Sequence, residues 1–213
     1  SLHMLRRVGC ALPVEMWFET HQVPTRGVVD MLAGLGVQVR HFDEICLGCS
    51  HHVFRDARAK AAAVLFSSFQ EVVYLGDDVI AVEDPAVLFN AEGYRATGAL
   101  LWPGVGPRSV SPDFWSIAGV DAGTWAAGAH DTGQMVIDKQ RLLGALVIAI
   151  YMNIQGTLFW RLLGDSERRG GEETFAYGMA GKLTNSKNRH FTGISALFSM
   201  TCSSPSSAGG AVP

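Results

Sequence analysis

Residues 2–75 alternate between helix-period and strand-period segments, and that alternation restricts the fold more than any single motif. "LHMLRRVG", Leu2 to Gly9, has apolar residues at helical spacing, a basic outer face and a glycine stop. "LPVEMWF", Leu12 to Phe18, reads as a strand; Thr25 to Gly36 reads as a helix ending in glycine; "VQVRHFD" reads as a strand by its period of two. The alanine-rich Arg55–Ser68 then predicts a packed helix before a strand at Glu71–Leu75. Strands separated by helices predict an α/β domain with a largely parallel sheet covered on both faces. Leu12–Phe18, Gln38–His41 and Val72–Leu75 are expected to be neighbours in it.

Further along, Pro85–Phe89 reads as a short helix and "GALLWP" as an apolar run ending at Trp102 and Pro103. Residues 104–129 are rich in Gly, Pro, Ser and Ala without a period and are expected to form a long functional loop. "GQMVIDKQ" predicts a strand running into a helix from Gln140 to Tyr151, with Leu142–Met152 mostly buried. That apolar run is too short to cross a bilayer, which takes about 20 residues. The chain then becomes low-complexity, so the expected organisation is one domain over 1–183 and a tail over 184–213. With 213 residues and a formal charge of −3, the chain can bury a full core and carries no basic footprint for nucleic acid. Cys46 and Cys49 with His51 and His52 have half the look of a zinc site, but adjacent histidines close a tetrahedron poorly around a nearby CxxC, so zinc is not expected.

"VVYLGDDVIAVEDP", Val72 to Pro85, delivers Asp77 and Asp78 to the end of a buried-looking strand. Carboxylates at the C-terminal edge of an α/β sheet lie where such folds bind ligands, and a metal-chelated diphosphate fits that place. Gly-Asp-Asp is equally a turn sequence. Both readings stand at this point.

In order, "LPVEMWF", then "AKAAAVLFSSFQEVVYLGDDVIAVEDPAVLFNAEGYRATGALLWP", then "DTGQMVIDKQRLLGALVIAIYMN" and "EETFAYG" resemble the blocks of the fungal Golgi α-mannosyltransferases of the Mnn type, over about Leu5 to Leu183. The resemblance implies a GT-A fold, here without its first strand and phosphate-facing turn. It also implies a GDP-mannose donor, a divalent metal (usually Mn2+), and transfer with retention to a mannose-terminated glycan. The implied location is the Golgi lumen, with a type II membrane anchor in an N-terminal region preceding Ser1.

That family's metal motif is Asp-x-Asp before a short apolar strand and Asp-Pro. Laid on this chain its second aspartate is Asp78, its middle residue Asp77, and its first position Gly76. Asp78, helped by Asp77, is therefore expected to bind the metal and donor diphosphate, with Lys60 and Arg55 as candidates for the phosphates and His190 as a late metal ligand. The family's acidic strand-start block appears as Asp131-Thr132-Gly133-Gln134, giving Asp131 and Gln134 the expected role of holding the reacting sugars. The family's Trp-Pro-Asp reads here as Trp102-Pro103-Gly104, and Gly171 and Glu172 replace an aspartate and a lysine. These departures fall on chemistry rather than core, which keeps two alternatives open: a non-catalytic domain with a degenerate metal site, or the same fold with another sugar nucleotide.

Overall fold

The structure, a computed structural model, describes residues 1–19, 22–45, 57–103, 130–155, 158 and 199–202. In chain order these form α1 (Leu2–Arg7), β1 (Val14–Phe18), α2 (Arg26–Gly34), β2 (Val37–His41), α3 (Ala57–Phe66), β3 (Glu71–Leu75), α4 (Glu92–Thr97), β4 (Ala99–Pro103), β5 (His130–Asp138), α5 (Lys139–Ile154) and β6 (Ser199–Cys202). Short 3-10 turns at Phe42–Glu44 and Pro85–Asn90 complete the set. Asp84 caps the second through its side chain, which accepts from the Ala86 amide at 3.0 Å. The expected helices and strands up to Leu75 are present with their ends moved by a few residues. The expected loop 104–129, Arg55, Cys46, Cys49, His51, His52 and "EETFAYG" lie outside the described residues.

All six strands form one mixed sheet in the order β2-β1-β6-β3-β5-β4. Only β1 and β2 pair in parallel; β6 is antiparallel to both β1 and β3, and β5 is antiparallel to both β3 and β4. The expectation of a largely parallel sheet with β3 beside β1 or β2 is therefore corrected. Helix-separated strands do run the same way, since β1, β2, β3 and β4 all point in one direction. What local periodicity could not show is that Ser199–Cys202, within the span read as a tail, enters the sheet between β1 and β3.

The sheet has a core on each face. Val14, Met16 and Phe18 of β1, Val73 and Leu75 of β3, Leu100 of β4 and Val136 of β5 pack with Leu5, Leu32 and Tyr94 beneath α1, α2 and α4. On the other face Val72, Tyr74, Leu101, Met135 and Ile137 pack against Ala61 and Val64 of α3 and Leu146 of α5. Small alanines on α3 let that helix lie close, and Ala62 and Ala63 are fully buried against Trp17 and Phe42. Helix α5 starts where Asp138 accepts hydrogen bonds from the Gln140 and Arg141 amides at 3.0 and 3.3 Å. Its burial is a second correction: Ala145, Leu146, Ala149 and Met152 are buried, whereas Leu143, Val147, Ile148 and Tyr151 are exposed. A helix lying on one face of a sheet buries one stripe only. Among the described residues no helix is long and apolar enough to cross a membrane.

Candidate functional site

The end of β3 and the start of β5 meet at one edge of the sheet, because Leu75 lies opposite Gln134 in the antiparallel register. One step further, the Gly76 amide donates to the Gly133 carbonyl at 2.7 Å. The Val79 amide then donates back to the Gly76 carbonyl at 3.1 Å, so Asp77 and Asp78 occupy the corner of a turn. The two readings of Gly-Asp-Asp thus coincide: it is a turn, and it sits at the carboxyl end of a buried strand.

Alternation along the strands puts Gly76 on the face of Val72 and Tyr74, and Gly133 on the face of Met135 and Ile137, which is the α3/α5 face for both. Each glycine has a carboxylate where its side chain would be. A Cβ on Gly76 would lie 2.8 Å from Asp78 Oδ1, and a Cβ on Gly133 would lie 3.2 Å from Asp131 Oδ1. Cβ positions of directly opposed residues are about 5 Å apart, so the paired glycines form a floor with Asp78 beside one of them and Asp131 beside the other. Asp131 is 5% exposed, and its Oδ1 accepts from the Gly133 amide at 2.6 Å, which fixes the carboxylate against the backbone. Asp78 is exposed, while Asp77 is half-buried with its Oδ1 shielded from solvent.

The remaining expected residues divide clearly. Lys60 is buried on α3 with its Nζ 5.9 Å from the centre of the Tyr74 ring, on the same face as the carboxylates. Gln134 is half-buried and, one residue from Gly133, lies on the opposite face, so the structure does not bring it beside Asp131. Trp102 packs with the Tyr94 and Leu100 cluster, also on that far face, as a core aromatic. His190 lies outside the described residues.

Any divalent cation held at this edge would need oxygen donors beyond those the described residues supply. Asp77, Asp78 and Asp131 supply hard oxygen donors, yet among the described residues no three His, Cys, Asp or Glu side chains group closely enough to hold a metal ion. Such a donor set suits a cation that brings its own phosphate oxygens and needs one or two carboxylates, rather than a closed protein cage.

Two acids that the motif reading passed over are the most buried among the described residues. Glu15 is fully buried and accepts hydrogen bonds from Trp17 Nε1 at 3.1 Å, Arg40 Nη1 at 3.2 Å, and the Ser68 amide and Oγ at 3.1 and 2.5 Å. It thereby ties β1 to β2 and to the α3–β3 connection. Lys139 closes the same corner, donating to the Leu65 and Ser67 carbonyls at 3.1 and 2.6 Å; burial pulls its ammonium below the usual lysine range and Glu15 partly restores it. Glu19, 2% exposed, follows β1 at the same edge as the Asp78 turn. Two glutamates four apart in the strand-like "VEMWFE", on one face by alternation, were the available signal.

The chain matches the Mannosyl_trans3 family of mannosyltransferases over residues 1–125 and 122–196. Among similar proteins are the α-1,2-mannosyltransferase MNN21 of Candida albicans, 23% identical over 82% of this chain and 34% of that protein, and MNN2 of the same organism, 24% identical over 82% and 36%. The α-1,2-mannosyltransferase MNN5 of Saccharomyces cerevisiae is 24% identical over 54% of this chain and 28% of its own length. The chain thus spans about a third of the length of these relatives. No solved structure matches it. With matches that run through both halves of the sheet and across the Gly76–Gly133 edge, the chain belongs to the Mannosyl_trans3 family of mannosyltransferases.

Proposed function

We propose that this chain carries the donor-binding core of a metal-dependent, retaining α-mannosyltransferase of GT-A type that moves mannose from GDP-mannose to a mannose-terminated glycan in the Golgi lumen. The observation that carries the reading is the hydrogen-bonded Gly76–Gly133 pair with Asp78 folded over one glycine and Asp131 over the other, in a chain whose relatives are named α-1,2-mannosyltransferases. In this reading Asp78, with Asp77 beside it, offers oxygens to the cation and diphosphate. Lys60 lends positive charge on the same face. A bound Mn2+ would supply electrostatic stabilisation for the departing diphosphate. Asp131, locked by the Gly133 amide, holds a sugar hydroxyl in a fixed direction; a carboxylate that needs no reordering loses little entropy on binding. Gln134 is proposed to reach the acceptor from the other face, and His190 remains a proposed metal ligand.

The test is a calorimetric titration of the chain with GDP-mannose, with and without Mn2+. Binding that requires the metal supports this reading. A second reading has its own support: glycine stands at the family's first metal aspartate, and no three-ligand group exists among the described residues. A non-catalytic glycan-binding module would bind a mannose oligosaccharide while ignoring GDP-mannose and Mn2+, and the same titration with a mannose trisaccharide separates the two.

A further inference from the structure

We infer that the extended segment Val79–Val82 is a docking edge for a polypeptide strand with apolar residues at alternate positions and basic residues at its ends. The inference does not rest on the donor-site reading. "DDVIAVED", Asp77 to Asp84, alternates as it leaves the turn. Val79 and Ala81 pack against the core beneath α1, α2 and α4, while Ile80 and Val82 are 58% and 82% exposed. That is the period of a strand. The segment nonetheless pairs with no strand of the sheet. The Val79 amide donates to the Gly76 carbonyl at 3.1 Å; beyond it, Ile80, Ala81 and Val82 make no backbone hydrogen bond among the described residues.

An open edge of this kind binds by gaining a strand: main-chain groups give affinity, and alternate side chains give selectivity. Charge decides which strand. Glu71, Asp77, Asp78, Glu83, Asp84 and Glu92 stand within residues 61–94, which hold no Lys, Arg or His, in a chain whose formal charge is only −3. Asp78 and Glu83, at the two ends of the segment, are exposed. A second copy paired antiparallel so that Ile80 meets Val82 would set Asp78 against Asp84, and one step out of that register would set it against Glu83. Like charges directly opposite destabilise a strand pair, so self-pairing is opposed. A mannose oligosaccharide would press hydroxyls on two aliphatic side chains that offer them no hydrogen bond, which is costly. A strand with Lys or Arg at each end meets the acids, and its alternate apolar side chains cover Ile80 and Val82. Because Asp78 begins the segment, one end of the docked polypeptide is held beside the candidate site.

The probe is the fluorescein-labelled heptapeptide Lys-Thr-Val-Thr-Val-Thr-Lys, in which both lysines and both valines share one face. It is titrated with the whole chain by fluorescence anisotropy, without Mn2+ or nucleotide. Saturable binding with a dissociation constant below about 1 mM is expected, and a version with glutamate in place of both lysines should not bind. Two N-methylated versions read the backbone: one blocks the valine amides and the other the threonine amides, which face opposite edges of a strand. One should bind as the parent does, and the other should lose about tenfold or more. Ile80→Ser with Val82→Ser alters only exposed side chains and should lower affinity about tenfold or more, as lost apolar contact predicts. Glu83→Lys should lower it several-fold. Absence of saturable binding, equal binding of the glutamate version, loss with both N-methylated peptides or with neither, or unchanged affinity in either variant overturns the inference. So does displacement of the peptide by a mannose trisaccharide, which would make the strip a glycan surface. Self-association of the chain that the double substitution abolishes also overturns it, since the strip would then be a contact between copies. None of these outcomes bears on the titration with GDP-mannose and Mn2+, so the donor reading stands or falls separately.

Discussion

Gly76 and Gly133 face each other across β3 and β5, amide to carbonyl at 2.7 Å, and each holds open the space that a neighbouring aspartate fills. The relation changes how Gly76, where the family resemblance would put a first metal aspartate, is understood. It is more than a deleted ligand, because its missing side chain is what allows Asp78 to fold back over the strand. Any side chain at either position would have to displace a carboxylate oxygen.

Asp78 and Asp77 are expected to differ sharply. Asp78 lies over Gly76, while Asp77 is at the other corner of the turn with its Oδ1 shielded. Asp78→Asn should abolish Mn2+-dependent GDP-mannose binding, a loss of about a hundredfold or more for a charged oxygen contacting the cation. Asp77→Asn should cost about tenfold or less. Titrating both variants with and without Mn2+ checks this; equal effects would mean that the turn as a whole, and not the Asp78 carboxylate, holds the donor.

How much of this was legible in the sequence depends on the distance over which each contact acts. The strands β1, β2 and β3 and the helices α1 to α3 follow from periodicity, which is a property of neighbouring residues. The order of strands does not, because Ser199–Cys202 reaches the sheet from far along the chain and nothing in four residues announces it. Motif spacing led to Asp78 and Asp131 separately, and only the antiparallel register brought their two strand ends to one edge of the sheet. The same spacing grouped Gln134 with Asp131, yet three steps along a strand reverse the face. Glu15 and Glu19 were given no role by the motif reading; Glu15 is held by Arg40 and Ser68, which lie elsewhere in the sequence.

Gly76→Asp tests the floor directly. A Cβ at that position meets Asp78 Oδ1 at 2.8 Å and the Gly133 carbonyl oxygen at 3.3 Å. Asp78 is exposed, so its carboxylate can move aside, and the result is two carboxylates on one face with no cation between them. Like charges so close are unfavourable without a metal and form a chelating pair with one. The variant is expected to melt lower than the parent in EDTA and to gain more from millimolar Mn2+ than the parent does. A thermal melt with and without the metal reads it out, and an equal metal response in both proteins would show that position 76 does not face a cation.

The Glu15 node is expected to be structural. Glu15→Ala leaves Arg40 Nη1, Trp17 Nε1 and the Ser68 amide without this acceptor while Arg40 keeps Glu44, and losing hydrogen bonds to a buried charged group is expected to cost about 1.5–3 kcal/mol. Glu15→Gln keeps an oxygen for Ser68 and should cost less. Urea unfolding of the three proteins gives the ranking. If Glu15→Gln were as damaging as Glu15→Ala, charge rather than hydrogen bonding would hold the corner.

Tyr94 gives the pH dependence with the clearest sign. It is 4% exposed, and its hydroxyl donates to Glu71 Oε1 at 2.6 Å, joining α4 to the start of β3. Burial first, and then the hydrogen bond and negative charge of Glu71, push the phenol far above the ordinary tyrosine value of 10.0. A group whose pKa is raised on folding contributes stability that is whole below its unfolded value and is lost as pH rises beyond it. The stabilisation from Tyr94 should therefore be constant up to about pH 10 and decline above it, because the unfolded chain can ionise the phenol and the folded chain cannot. Tyr94→Phe removes the donor, leaves Glu71 facing an apolar ring edge, and should cost about 1.5–3 kcal/mol at neutral pH. The variant should also lose less stability than the parent between pH 9 and about 11, since it has one fewer ionisation to lose. Parallel urea titrations across that range measure the difference, and identical slopes with pH would show that the hydroxyl of Tyr94 ionises as readily in the fold as outside it.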